Sequence, residues 1–361
     1  MQPVRAGLFA LTHPHSEAHY KTLRASTLVD EIILYDADPS ALNSFNLTDK
    51  VAGAYSDLSV LLGSENIAFG VACAQNDQNP DLCLRLFDQG IHVISEKPIG
   101  ASVATVSRVV DGAAKAGVQL GIMYQNRYHP VTCEARRVIQ GGAIGHVTSC
   151  ESRMVTSQVK FRDPKHWLFD RSISGGGILS WLGCHYIDLL CYVMDADIVS
   201  VSAIVDTLSG EDIDVEDVAS LSFRFSNGAL GSLQAGYQLS ISGAGYMGPN
   251  YDTYMGFRGH EGRVFWTPSG GPSELYLESV AEGWHTASQR TFDYTLPEVD
   301  AYGGTYGIAF LDDFIRSTAG KNAAPTSGED ALKVARIIEA AYRSNDTGQR
   351  IELGEMSTTQ G

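Results

Sequence analysis

The stretch Gly90-Ile91-His92-Val93-Ile94-Ser95-Glu96-Lys97-Pro98-Ile99 sets the reading of the whole chain. A glycine just past a helix takes the left-handed cap without a Cβ penalty, so Gly90 reads as a helix stop. His92 to Ser95 then reads as a short buried strand. It ends on an acid, an amine and a proline. Ligands of open α/β sheets bind outside the carboxyl ends of the strands, and a lysine desolvated there can serve as an acid/base. A strand followed by a solvated turn is the plain alternative.

Working back towards the N-terminus, Val4 to Leu11 reads as a first strand, Glu17 to Ala25 as a helix and Glu31 to Asp36 as a second strand. Ile67 to Cys73 makes a third. Asn79 as N-cap, with Pro80 in the first turn, starts a helix that Gly90 ends. Beyond the quoted stretch come a helix over Val103–Ala116, capped by Gly117, and a strand over Val118–Tyr124. Near-continuous apolar strands alternating with helices predict a parallel, doubly wound sheet. Such a sheet commonly holds a dinucleotide on G-x-G-x-x-G at its first strand–helix turn. Here the three glycine positions carry Ala10, Thr12 and His15, a degraded form. Asp36 compensates in part: an acid ending the second strand can accept hydrogen bonds from ribose hydroxyls. With Asp38 it would repel a 2′-phosphate, favouring NAD over NADP. Turn or capping chemistry is the other reading of Asp36-Ala37-Asp38-Pro39.

The totals fit this picture. A chain of 361 residues is too long for one ordinary core, so two domains are expected. At 44% hydrophobic and 19% charged it has globular composition. Its net charge of −16 argues against a nucleic-acid or anionic-membrane partner. Six cysteines without C-x-x-C spacing suggest reduced thiols and neither a disulfide framework nor a zinc site. No leader-like or membrane-spanning run is legible, and a cytoplasmic location is expected.

From Asn126 the pattern changes. His146–Thr156, Ile198–Asp206, Val218–Phe225 and Ala229–Tyr237 alternate in the manner of an antiparallel sheet with one buried face. An exposed face on such a sheet leads us to expect a homodimer or homotetramer. Three glycines, Gly175 to Gly177, precede a stretch in which Ile178, Leu182, His185, Leu189 and Val193 recur at helical spacing. Trp181, His185, Asp188 and Tyr192 would also share a face, with Asp188 three residues from His185 and able to orient it. A core histidine is the alternative reading. The glycine-containing loop Ile241 to Tyr254, with Tyr246, Tyr251 and Tyr254, is a candidate lid or subunit contact. Tyr306–Ser317 and Ala331–Arg343 read as helices.

Taken in order, Asp36, Glu96-Lys97-Pro98, Tyr124-Gln-Asn-Arg-Tyr128, Trp167 with Gly175–Gly177, Gly183-Cys-His-Tyr-Ile-Asp188, Gly259-His-Glu-Gly262 and Ser327-Gly-Glu-Asp-Ala331 followed by Glu339–Ser344 make a specific set. The chain resembles the Gfo/Idh/MocA family of NAD(P)-dependent oxidoreductases over nearly its whole length. The resemblance implies an α/β fold: an N-terminal Rossmann domain (1–125) with a doubly wound parallel sheet, and a C-terminal α/β domain (126–361) with a large, mostly antiparallel open sheet. It implies a cofactor site for NAD on Ala10, Thr12, His13, Asp36, Ala74, Asn76, Asn79, Glu96, Gln125 and Trp167. It further implies catalysis by Lys97 and His185, and a substrate site on Lys97, Arg127, Trp181, His185, Asp188 and Tyr237, with no metal. In the family the Lys-Pro peptide is often cis. Many relatives carry an Asp four residues before the histidine; Trp181 stands there instead, so one member of the proton relay is missing.

Three functions follow as expectations. The first is an NAD-dependent enzyme oxidising a secondary hydroxyl of a sugar, sugar derivative or cyclic polyol. The second uses the same chemistry in a redox-neutral cycle that cleaves a glycoside by transient C3 oxidation, elimination and re-reduction. The third is a non-catalytic sensor of a dinucleotide or sugar, supported only by the degraded glycine turn.

Overall fold

The structure is a computed structural model describing residues 2–45, 50–244, 250–271, 273–320 and 322–354. The chain divides into two compact units. Met1–Tyr128, Ser172–Gly175 and Pro297–Leu332 form the first; His129–Arg171, Gly176–Leu296 and Lys333–Gly361 form the second. The segment 297–332 thus returns to the N-terminal unit, which no single cut in the chain describes.

The first unit carries six parallel strands, β1 (Val4–Phe9), β2 (Val29–Tyr35), β3 (Val51–Tyr55), β4 (Phe69–Ala72), β5 (His92–Ser95) and β6 (Leu120–Ile122), in the order β3-β2-β1-β4-β5-β6. This is the doubly wound order, with its switch point between β1 and β4. Five helices join them: α1 (Ser16–Ala25), α2 (Pro39–Ser44), α3 (Leu58–Ser64), α4 (Asn79–Phe87) and α5 (Val103–Ala116). Burial explains the strand composition, because Ala6, Leu8, Ile32, Leu34, Phe69, Val71 and Ile94 are all enclosed. The helix Gly304–Thr318 closes the same core with Phe310, Leu311, Phe314 and Ile315. It lies so close to β6 that a Cβ on Gly121 would meet the Phe314 ring at 2.7 Å. Thr326 adds a hydrogen bond from the Ile122 amide.

The second unit is a nine-stranded sheet. Its strands are β7 (Val147–Ser157), β8 (Ile198–Asp206), β9 (Val218–Phe225), β10 (Leu230–Leu239), β11 (Tyr251–Gly259), β12 (Gly262–Trp266), β13 (Glu274–Ser279), β14 (Gln289–Asp293) and β15 (Ile351–Glu352). They run in the order β14-β13-β12-β11-β7-β10-β9-β8-β15. The β7–β10 pair is parallel and the other pairs are antiparallel. The helices Pro130–Gln140 and Cys184–Met194 belong to this unit.

The expected fold class is the observed one, with local differences. The first strand stops at Phe9, because Ala10 turns the chain with φ 66°. The strand β3 and the helix α3 were not legible: β3 is a half-buried Val-Ala-Gly-Ala-Tyr with little apolar signal. Within the loop expected over 241–254, residues 245–249, including Tyr246, lie outside the described residues, and from Tyr251 the chain is β11. The Gly259–Gly262 motif is the hairpin between β11 and β12. A Cβ at Gly259 would sit 2.1 Å from the Ile144 carbonyl oxygen, and one at Gly262 2.0 Å from that of Glu278. Among the described residues, Arg171–Met194 is long and apolar enough to cross a membrane by length and composition alone. Its most apolar 18 residues are 83% buried within the protein, as those of a core helix are.

Candidate functional site

The quoted stretch ends where expected. Gly90 takes φ 71° after α4, and the Lys97–Pro98 peptide is cis. Glu96 and Lys97 follow β5 at the carboxyl edge of the first sheet, Glu96 only 2% exposed and Lys97 0%. Asn79 holds this strand end in place. It was expected to be the N-cap of α4, but Gln78 holds that position and Asn79 is the first residue of the helix. Its amide nitrogen donates to Ser95 Oγ (2.8 Å) and to the Ile99 carbonyl (3.3 Å), while its oxygen accepts from the Ala74 N–H (3.3 Å). One side chain thereby ties together the ends of β4 and β5.

The Glu96 carboxylate is almost fully engaged. Oε1 lies 3.0 Å from His15 Nδ1 and 3.0 Å from His19 Nε2. Oε2 accepts the Lys97 backbone N–H at 2.8 Å and stands 4.0 Å from Lys97 Nζ. Burial by itself would push the Glu96 carboxyl up. The charges of His15 and Lys97, with the hydrogen bonds from His15 and His19, outweigh it and hold the group well below the ordinary carboxylate range. Burial pushes His13 well down, and His15 down against the pull of Glu96. His13 Nδ1 accepts the His15 N–H (3.1 Å), and the Tyr302 hydroxyl lies 3.1 Å from His15 Nδ1. His15, His19 and Tyr302 were missed in the sequence. The signal for the first two was their i, i+4 spacing at the start of α1.

Beside this cluster runs a cleft whose lining includes Ala10, Thr12, His13, Asp36 and Ala74, so five candidate cofactor residues are brought together. Ala10 occupies the left-handed turn position that glycine usually fills. Next to His15, which stands at the third glycine position of the motif, Ser16 makes the close contact between helix and turn. Ser16 is the first residue of α1, is 0% exposed, and donates from Oγ to the Ala10 carbonyl at 2.8 Å. Asp36 accepts from the Leu11 N–H (2.6 Å) on one oxygen and from the Asp38 N–H (2.8 Å) on the other. Asp38 is the N-cap of α2, so the capping reading applies to it. Asn76 donates to the Ser174 carbonyl (2.8 Å), and Gln125 is buried. Arg127 is held by Asp330 at 3.0 Å.

In the second unit the sequence expected one unbroken helix. Instead Leu179–Gly183 is a π-helical turn leading into Cys184–Met194, and its wider winding breaks the 3.6-residue spacing between Trp181 and His185. Tyr192 turns to Arg136, whose guanidinium lies 4.5 Å from its ring centre. Trp181, His185 and Asp188 are buried. Trp167 meets Trp181 edge to face at 6.4 Å. Tyr237 is buried between Phe169 (5.7 Å) and Arg162, whose guanidinium lies 5.1 Å from its ring centre. Arg162, 3% exposed, was not singled out from the sequence. Glu216 anchors the start of the helix by accepting from the Gly177 (2.8 Å) and Leu179 (3.0 Å) amides and from the Tyr342 hydroxyl (3.0 Å).

Comparison with known proteins agrees with the fold. Residues 7–124 match the model of an oxidoreductase family with an NAD-binding Rossmann fold, and residues 132–263 match the GFO/IDH/MocA C-terminal domain. Myo-inositol 2-dehydrogenase of Thermotoga maritima is 25% identical over 93% of this chain and 96% of that protein. Levoglucosan dehydrogenase of Pseudarthrobacter phenanthrenivorans is 23% identical over 84% of each. Among solved structures, an oxidoreductase from Agrobacterium radiobacter in complex with NAD+, L-tartaric acid and magnesium superposes with a TM-score of 0.83 at 17% identity, covering 98% of this chain and 99% of that one. The cleft suits NAD in that each Asp36 oxygen, which accepts one backbone N–H, keeps a lone pair for a ribose hydroxyl.

The histidine–glutamate cluster makes acid sensitivity calculable in sign. His13 and His15 have folded values below their ordinary 6.5, so their contribution is complete above that pH and is lost as pH falls below it. Glu96, depressed from 4.5, adds a second loss further down. Urea midpoints measured from pH 7.5 to 5.0 should fall, and His13→Asn should lessen the fall. An unchanged slope in that variant contradicts the assignment.

Proposed function

Because this chain belongs to the Gfo/Idh/MocA family of NAD-binding oxidoreductases, we propose that it oxidises a secondary hydroxyl of a sugar, sugar derivative or cyclic polyol to a ketone, with Lys97 and His185 as its acid/base pair. The observation that carries this reading is Lys97, wholly enclosed at the carboxyl edge of β5 and held by Glu96. An amine is seldom buried completely unless it is paired, and this edge is where α/β sheets bind their ligands. Bound NAD supplies the hydride acceptor. Lys97 takes the proton from the reacting hydroxyl, and His185 shares that task. Positioned proton transfer of this kind typically contributes ~10²–10⁴ in rate. Asp36 and the Ala10–His13 turn hold the dinucleotide. Trp181, with Trp167 against its edge, offers an apolar wall for a ring substrate where relatives carry an acid. The names of the relatives, which act on inositol and levoglucosan, support the substrate class.

Lys97→Ala should abolish turnover and leave NAD affinity near normal. The check is a panel of inositols, sugars and glycosides in which NADH and product are followed together. Retained activity in the variant contradicts the reading. Aglycone release without net NADH assigns the glycoside-cleaving cycle instead.

A homo-oligomer forming through the second sheet belongs to the same reading. None of the nine strands contains a lysine. Tyr254, Phe265 and Tyr276 stack in a row, at 6.1 and 5.1 Å between ring centres. Arg153–Asp252, Arg258–Glu151 and Arg263–Glu278 pair around them. Aromatic and arginine enrichment with lysine depletion is the composition of an interface core. Nine strands at about 4.8 Å spacing give a face roughly 40 Å wide, broad enough for the ~800 Å² per partner of a standard interface. Sedimentation should give a dimer or tetramer that Phe265→Arg dissociates. A monomeric wild type contradicts this.

A further inference from the structure

In the second unit three consecutive amides end on one residue. Glu216, 2% exposed, accepts the Gly177 N–H on Oε2 (2.8 Å) and the Leu179 N–H on Oε1 (3.0 Å). Its backbone carbonyl accepts the Ile178 N–H between them (3.1 Å). An ordinary N-cap side chain satisfies only one of the free amides at a helix start. The helix Gly328–Thr347 adds a further donor, the Tyr342 hydroxyl, 3.0 Å from Oε1. Two glycines leave room for this clamp. A Cβ at Gly177 would stand 1.9 Å from the Glu216 carbonyl oxygen, and one at Gly176 2.0 Å from the Tyr342 hydroxyl. Burial pushes the Glu216 carboxyl up, while the amides and the Tyr342 hydroxyl pull it back. Burial and the charge of Glu216 push Tyr342 well above its ordinary value, so it stays a donor.

What the clamp holds lies directly before His185. The π-helical turn Leu179–Gly183 carries Trp181, and His185 is the second residue of the helix Cys184–Met194 that follows. Amides in the first turn of a helix point back to the carbonyls of the preceding turn. The winding of Leu179–Gly183 therefore fixes how His185 stands. Further along, Ile187, Leu190 and Val193 are wholly enclosed, so the core locks the rest of the helix. A π-turn holds one residue more than α winding allows. Rewinding it would rotate Trp181 against the locked helix by about 100°, one residue's share of a 3.6-residue turn.

We propose that Glu216 is the positioning residue of His185, holding the π-turn in the winding that fixes the orientation of the imidazole. This rests on His185 sharing the acid/base task. Glu216 acts through the turn alone, because its carboxylate is taken up by Gly177, Leu179 and Tyr342.

Glu216→Gln keeps the size of the side chain and sets an N–H₂ group against an amide donor. The test compares it with wild type, His185→Ala and the double variant, and adds Tyr342→Phe, which removes one donor and leaves the carboxylate. The first readout needs no substrate: nitrogen-15 spectra of the imidazoles, with the His185 signal assigned by its loss in His185→Ala. Glu216→Gln should shift that signal and leave those of His13, His15 and His19 in place. Tyr342→Phe should shift it by less. The second readout is kcat with the substrate that the panel identifies. Glu216→Gln should lower it about 10²-fold, the low end of what a positioned proton transfer contributes, with NAD affinity near that of wild type. Tyr342→Phe should lower it about fivefold, the worth of one neutral hydrogen bond. In the double variant Glu216→Gln should cost nothing beyond His185→Ala, since residues acting as a unit are not additive. An unshifted His185 signal in folded Glu216→Gln overturns the positioning role. So do losses in kcat that add in the double variant, which mark a purely structural part. Should Glu216→Gln fail to fold, Tyr342→Phe decides on the same two readouts. Wild-type kcat in His185→Ala overturns the acid/base reading and this role with it. A slow His185→Ala beside a fast Glu216→Gln overturns the positioning role alone.

Discussion

A buried carboxylate facing a buried amine is the constraint on which the first unit depends. Glu96 and Lys97 are adjacent in the chain and both enclosed, so neither charge has water to solvate it. Removing one partner of such a pair costs about 3–5 kcal/mol, because the other is left uncompensated. Glu96 meets that requirement only because α1 delivers His15 and His19 to one of its oxygens, while the backbone of Lys97 occupies the other. The position of α1 in turn depends on the Ala10 turn and on Ser16 packing against it. A change in the first strand–helix turn therefore reaches the lysine through hydrogen bonds.

The same economy of contacts appears around it. Asn79 joins the ends of β4 and β5, and Asp36 joins the first turn to the end of β2. These polar side chains do the aligning at the carboxyl edge of the sheet, where backbone pairing has ended. In the second unit Glu216 plays a comparable part for the π-helical turn before His185. Its acceptance of two amides there satisfies donors that the start of a helix leaves without a partner.

Much of this was legible in the sequence and some was not, for identifiable reasons. The parallel strands could be read because each is an apolar run bounded by turn residues. The stretch from Gly90 to Pro98 placed its own lysine at a strand end. The short strand β3 was hidden by its small residues, and strands β11 to β14 by glycine and charge at half-buried positions. Periodicity cannot show a π-turn, since Trp181 and His185 have helical spacing in sequence whichever way the chain winds. The cluster on Glu96 was missed because its members come from residues 15, 19, 96 and 302, and only the fold brings them together. Arg127 illustrates the converse: it sits in a motif of the family, yet its guanidinium is engaged by Asp330, supplied by the returning segment.

The central claim is that the Lys97 amine carries the proton of the reacting hydroxyl. Chemical rescue of Lys97→Ala tests it most directly, because a small primary amine can enter the space that the side chain leaves. The account predicts that methylamine restores NADH formation in proportion to its concentration, more strongly as pH rises and the amine becomes unprotonated. A variant that refolds and binds NAD normally, yet gains nothing from any primary amine, would contradict it.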